Sequence, residues 1–127
     1  MRYLMFFLFL FLSATVFSQT FSSKNKQGGY DYYSAKGQKQ FYSTPNKYGG
    51  FDFYNMSKKQ TMYSKSNGKD GFDFFGNGTR LGFSSKNKKG GYDYFTASGG
   101  QAGYSVPNNK GGYTFYAMNG KETKYIW

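Results

Sequence analysis

The chain contains no cysteine and no histidine among its 127 residues. Without cysteine there is no disulfide framework, no thiolate metal site, no thiol nucleophile and no lipoprotein anchor. Without histidine the commonest general base and the commonest zinc ligand are missing as well. Acids are scarce: six Asp+Glu, with Glu122 the single Glu, stand against 17 Lys+Arg, for a formal charge of +11. Proline (2) and tryptophan (1) are also rare, whereas glycine (18), tyrosine (14) and phenylalanine (15) are abundant. The length predicts one domain. The missing side chains point away from catalysis, metal binding and any cofactor.

The first eighteen residues differ in composition from the rest. Met1-Arg2 supplies a short positive start, Tyr3 to Leu12 is almost wholly apolar, and a mostly small, polar stretch follows from Ser13 to Gln19. Val16 and Ser18 suit the −3 and −1 positions of a signal-peptidase site, so residues 1–18 are expected to be a cleaved secretory signal. A spanning helix would need ~20 apolar residues, more than this core supplies. The expected location is therefore exported: secreted, periplasmic or cell-surface. Export without cysteine means that stability does not rest on oxidation. Removing the segment leaves a formal charge of +10 and 24 aromatics, but only Leu81, Val106 and Ile126 as Leu, Val or Ile. Any core must be built from Tyr and Phe rings, which bury large areas at small rotamer cost.

Self-similarity organises residues 19–127, read as a single domain. The segments SSKNKQGGYDYY (22–33), STPNKYGGFDFY (43–54), SKSNGKDGFDFF (64–75), SSKNKKGGYDYF (84–95) and SVPNNKGGYTFY (105–116) align without a gap. An aromatic precedes each leading Ser: Phe21, Tyr42, Tyr63, Phe83 and Tyr104. The repeats run over about 21–41, 42–62, 63–82, 83–103 and 104–124. Tyr125-Ile126-Trp127 begins a truncated sixth copy that serves as a terminal cap.

Each repeat reads as two strands and two turns. Strand A is Tyr30-Asp31-Tyr32-Tyr33 and its equivalents, where period-two spacing puts the first and third aromatics on one face. Strand B surrounds the aromatic–Ser pair, as in Gln40-Phe41-Tyr42-Ser43. The B-to-A loops carry Asn, Lys and Gly-Gly, and the A-to-B loops include Asn77-Gly78 and Asn119-Gly120, all turn formers. No window has helical periodicity. The predicted fold is all-β: five β-hairpin units of ~21 residues in an antiparallel meander or hairpin solenoid. Flat, superhelical and closed forms all satisfy the spacing.

The unit G-G-[YF]-D-[YF]-[YF], a Gly-bearing turn and a Tyr–Ser strand resembles bacterial variants of the MORN repeat over essentially all of residues 20–127. Gly37-Gln38, Gly99 and Gly120-Lys121 stand where that family's post-hairpin Gly is expected. Part of the pattern is also similar to choline-type cell-wall-binding repeats. Both resemblances imply a hairpin-repeat fold rather than a particular ligand.

The first and third residues of strand A, joined by the strand B aromatic, are the expected core: Phe21, Tyr30 and Tyr32 through Tyr104, Tyr113 and Phe115. The fourth aromatics, Tyr33, Tyr54, Phe75, Phe95 and Tyr116, face the other way, beside the Ser and Asp rows. They are expected to form a stacked ladder, either a second packing layer or subunit contact, or a platform for sugar rings or bases. The Asp row (Asp31, Asp52, Asp73, Asp93) brings one carboxylate per repeat, too few oxygens for calcium, and Thr114 replaces it in the fifth. It is read as hydrogen-bonding an adjacent turn or a neighbouring Lys. Nine lysines lie in or beside the B-to-A loops: Lys24, Lys26, Lys47, Lys65, Lys69, Lys86, Lys88, Lys89 and Lys110. In-register repeats would line them along one edge, able to bind a polyanion or to keep an aromatic sheet soluble.

Lys89-Gly90-Gly91-Tyr92-Asp93-Tyr94-Phe95 echoes an RNA-recognition strand, but it recurs without helices in an exported chain, so an intracellular nucleic acid partner is not expected. Strands this short do not suit a membrane barrel, which needs ~9–11 residues each. The expectation is a non-enzymatic exported module at the cell surface or in the extracellular matrix, not membrane-spanning after processing. Its partners would be acidic polysaccharide, lipopolysaccharide or another polyanion. The alternative is a structural or protein–protein scaffold of the cell envelope, with another envelope protein as partner.

Overall fold

A computed structural model of the chain describes residues 20–118; residues 1–18, expected to be a signal segment, the Asn119-Gly120 turn and the expected sixth copy at 125–127 lie outside them. Ten strands follow one another: β1 (Thr20–Lys24), β2 (Tyr30–Tyr33), β3 (Lys39–Pro45), β4 (Phe51–Asn55), β5 (Gln60–Ser66), β6 (Phe72–Gly76), β7 (Thr79–Lys86), β8 (Tyr92–Thr96), β9 (Gln101–Pro107) and β10 (Tyr113–Ala117). Odd strands are the B strands of the repeat and even strands the A strands. Each pairs antiparallel with its sequence neighbours, and β10 returns to β1 to close a barrel. The all-β hairpin order is as expected; the open meander and the solenoid are replaced by this closure.

Closure follows from the repeats being interchangeable. Phe21 of β1 stands opposite Thr114 of β10, as Tyr42 stands opposite Asp31 and Tyr104 opposite Asp93. So β1 occupies, on β10, the place that the next repeat's B strand occupies elsewhere. The seam repeats the usual side-chain bonds too: Tyr113 N–H donates to Ser22 Oγ at 2.9 Å, and Asn108 Nδ2 donates to the Ser22 carbonyl at 2.9 Å. Curvature comes from bulges. The register shifts after the third residue of strand A in the β2–β3, β4–β5, β6–β7 and β8–β9 pairs, and each bulge bends its strand and adds right-handed twist. The closed sheet leaves no bare edge among the described strands.

Aromatic rings fill the interior in two layers. The first residues of the A strands form a closed circuit, Tyr30–Phe51–Phe72–Tyr92–Tyr113, with neighbouring centroids 5.6–5.9 Å apart. The third residues form another, Tyr32–Phe53–Phe74–Tyr94–Phe115, at 5.8–6.4 Å. Most of these contacts are tilted or edge-on, the arrangements that ring quadrupoles favour. Five centroids spaced 5.6–5.9 Å apart sit about 5 Å from a common centre, so the rings surround the barrel axis and leave some space along it. An eight-stranded barrel is just filled by ordinary side chains. Ten strands enclose more, which explains why the largest apolar side chains do the filling.

The strand B aromatics do not join this core, contrary to the sequence expectation, and the Ser row is not on the outer face. Ser22, Ser43, Ser64, Ser84 and Ser105 are each 0% exposed inside the barrel, opposite the second layer of rings, as Ser43 is to Phe53. The rings already occupy the space at that level, so only a small side chain fits. Each Ser Oγ also accepts the N–H of the first A-strand residue at 2.9–3.0 Å, so the buried hydroxyl is satisfied. The strand B aromatic therefore lies outside.

The B-to-A loops are built on Asn. In every repeat the Asn Nδ2 donates to the Ser carbonyl of the next repeat's B strand at 2.9–3.0 Å, for example Asn25 to Ser43 and Asn87 to Ser105, with Asn108 reaching Ser22 across the seam. Its Oδ1 accepts the N–H two residues on at 2.9–3.0 Å. The second Gly of the loop lies against the same Ser carbonyl: a Cβ on Gly29, Gly50, Gly71, Gly91 or Gly112 would collide with it.

At the opposite end, an apolar residue changes place within the bulge. Phe41 and Met62 are half-buried beside exposed Gln40 and Thr61, whereas Leu81 and Ala102 are half-buried beside buried Gly82 and Gly103. Where the second position is Gly, the first supplies the apolar side chain.

Candidate functional site at the basic end of the barrel

Five hairpin loops, β1–β2, β3–β4, β5–β6, β7–β8 and β9–β10, share one end of the closed meander. The nine B-to-A lysines, Lys24, Lys26, Lys47, Lys65, Lys69, Lys86, Lys88, Lys89 and Lys110, therefore ring that end instead of lining a straight edge. Asp70 is the one acid in these loops, held at φ 61° where other repeats place Gly. The other described cations, Lys36, Lys39, Lys58, Lys59 and Arg80, lie in or beside the loops of the far end.

Inside the rim is the first aromatic circuit, with Tyr30, Tyr92 and Tyr113 half-buried. Because repeat five neighbours repeat one, these three tyrosines are contiguous, and Phe51 and Phe72 complete the ring. Burial raises the Tyr30 phenol above its ordinary value, with added contributions from the charge and hydrogen bond of Tyr113. Tyr92 is pushed up to about 12, by burial first and then by Tyr113, Tyr30 and Asp70. Deeper, burial raises Tyr32 and Tyr94, partly offset by hydrogen bonds to Ser43 and Ser105; the Tyr94 hydroxyl is 3.1 Å from Ser105 Oγ. All four phenols stay protonated at neutral pH and act as neutral hydrogen-bonding groups.

A cavity of about 100 Å³ lies among the two ring layers and reaches Ser64 and Ser84. A recess of about 360 Å³ opens between three loops of the basic end, lined by Gly49, Ser66, Asp70, Phe72, Lys86 and Tyr92. Tyr48 in the β3–β4 loop is 49% exposed, with the Lys47 and Lys65 ammonium groups 5.6 and 5.0 Å from its centroid.

The fourth aromatics lie on the outer wall, but each stacks across its hairpin on the strand B aromatic. The pairs are Phe21–Tyr33, Tyr42–Tyr54, Tyr63–Phe75, Phe83–Phe95 and Tyr104–Tyr116, at 4.9–5.4 Å and 10–20°. All ten rings are half-buried. A cation lies over one ring of every pair: Lys110 on Phe21, Lys39 on Tyr42, Lys65 on Phe75, Arg80 on Phe83 and Lys89 on Tyr104, at 4.8–5.6 Å. The arrangement is five separate capped pairs around the barrel, and each capping cation leaves less open ring face for a ligand.

The Asp row shares the outer wall. Asn25, Asn46 and Asn87 donate to Asp31, Asp52 and Asp93 at 3.5, 3.1 and 3.4 Å. Lys39 pairs with Asp31 at 3.2 Å and Arg80 with Asp73 at 2.9 Å. These are contacts to an adjacent turn and to neighbouring cations.

Sequence reasoning grouped the lysines but treated Tyr30, Tyr92 and Tyr113 as plain core. The available signal was the Tyr/Phe alternation in the first slot of strand A, which has meaning only once the ring is closed. No family model matches the chain, and no curated protein matches it. Among solved structures it is similar to the X-ray structure of a protein from Arabidopsis thaliana, with TM-score 0.49 and 10% identity, over 81% of this chain and 82% of that one. A likeness of that degree carries no argument about function.

Proposed function

We propose that this protein is a non-enzymatic, exported binding module of the cell surface or extracellular matrix, taking anionic glycans on the basic end of its barrel. The observation that carries the reading is the gathering of nine lysines on one end of a closed sheet whose loop acids number one, Asp70. A ring of cations around an aromatic mouth attracts a polyanion over several ångströms and holds it by many weak contacts. Of the fourteen described cations, nine stand at this end and five at the far one, a more one-sided distribution than solubility alone requires. The MORN-like character of the hairpins supports a repeat-built interaction surface and leaves the ligand open. The test is retention of the exported protein on immobilised acidic polysaccharide. Binding should fall steeply with salt and be absent on a neutral polysaccharide; salt-independent or absent retention would end the reading.

One observation favours a second reading, an envelope scaffold. The β1–β10 seam joins strands that are interchangeable with those of the other repeats, Phe21 standing opposite Thr114 as Tyr42 stands opposite Asp31. A seam between interchangeable strands can exchange with a second copy. Analytical ultracentrifugation separates the readings: a monomer across the accessible concentration range removes the scaffold.

A further inference from the structure

The five repeats depart from symmetry on the basic end, and the departures coincide. Repeats four, five and one, contiguous through the seam, carry Tyr92, Tyr113 and Tyr30 at the mouth and six rim lysines, Lys86, Lys88, Lys89, Lys110, Lys24 and Lys26. Their acids in the loops and A strands are Asp93 and Asp31, because Thr114 stands in the Asp row of repeat five. Repeats two and three carry Phe51 and Phe72 at the mouth and three lysines, Lys47, Lys65 and Lys69, with Asp70 in their loops. The outer-wall Asp31 and Asp73 already pair with Lys39 and Arg80 of the far end, so one arc of the rim carries six positive charges around three phenols and the other a net two around two phenyl rings. The arcs join at the recess where Asp70 faces Lys86 and Tyr92.

We infer that the binding site is the arc of repeats four, five and one, and that its ligand is a segment of acidic polysaccharide. This deepens the function proposed above and rests on it. The lysines supply charge for carboxylate or sulfate groups. The phenols supply what a simple polyanion does not need: neutral donors and acceptors for sugar hydroxyls, on rings 5.7 and 5.9 Å from Tyr113. Lys24 lies 5.9 Å from the Tyr30 centroid, which brings rim charge and mouth hydroxyls within the reach of one sugar unit.

The experiment measures dissociation constants for dextran sulfate, polygalacturonate, neutral dextran and DNA with three variants of equal fold by circular dichroism. Lys86→Gln/Lys88→Gln/Lys110→Gln should weaken polygalacturonate at least about tenfold, and Lys47→Gln/Lys65→Gln/Lys69→Gln, which removes the same charge, by no more than about threefold. Tyr30→Phe/Tyr92→Phe/Tyr113→Phe, which copies the side chains of repeats two and three, should weaken both acidic polysaccharides and leave DNA unchanged. Equal losses from the two lysine variants, or an unchanged affinity of the Tyr variant for both polysaccharides, would overturn the arc while leaving the basic end as the binding surface. Failure of the unaltered protein to bind either acidic polysaccharide would overturn both.

Discussion

Gly91 and its four equivalents are placed where a methyl group has no room, against a backbone carbonyl that strand pairing holds still. Gly91→Ala should cost on the order of 3 kcal/mol, because the strain must be relieved by moving a strand rather than a flexible side chain. Gly100→Ala is the matched control. Its nearest neighbour would be Thr96 Oγ1 at 3.7 Å, so urea denaturation should register a loss for the first variant and a change within about 0.5 kcal/mol for the second. The interior tyrosines give a second residue-scale prediction. Tyr30, Tyr32, Tyr92 and Tyr94 are raised above the ordinary 10.0 chiefly by burial. The unfolded chain therefore loses these protons at lower pH than the folded one does. The stability they contribute is full below pH 10 and is lost as pH rises through the folded values, about 12 for Tyr92. In an alkaline titration their phenolate absorbance should appear together with loss of β circular dichroism. Complete ionisation near pH 10 with the sheet intact would mean that the rings are not enclosed.

At the scale of strands, the seam between β1 and β10 decides whether the sheet is a barrel. Phe21 and Thr114 are register partners there, and directly opposed strand residues lie within the span of a disulfide. The variant Phe21→Cys/Thr114→Cys should oxidise at low protein concentration to an intramolecularly linked monomer that migrates faster on a non-reducing gel. Linkage only between chains would show that the seam is not closed within one molecule. The A strands, the Asn–Gly loops and the inward first and third aromatics were all legible in the sequence, because period-two spacing and turn chemistry specify them locally. The inward Ser and the outward Phe21, Tyr42, Tyr63, Phe83 and Tyr104 were not. Alternation in a B strand separates two faces without saying which one is inside; that depends on how much space the A-strand rings leave. Closure was illegible for a similar reason, since it pairs residues at the two ends of the repeat array and no local signal distinguishes β1 from a sixth repeat.

At the scale of the whole molecule, closure turns a row of lysines into a rim and makes repeats five and one neighbours. The candidate site was half legible: the lysine positions and their common edge came from the repeat, whereas the phenol arc needed the circle. The outer wall, with its capped ring pairs and Asp row, then reads as the scaffold that carries the rim. The most direct measurement is an amide chemical-shift map of the isotope-labelled protein titrated with an acidic oligosaccharide at low salt. The account predicts perturbations in the loops at 25–29, 87–91 and 108–112, smaller ones at 46–50 and 67–71, and their disappearance in high salt. Shifts centred on Tyr33, Tyr54, Phe75, Phe95 and Tyr116, or on the loops of the far end, would contradict it.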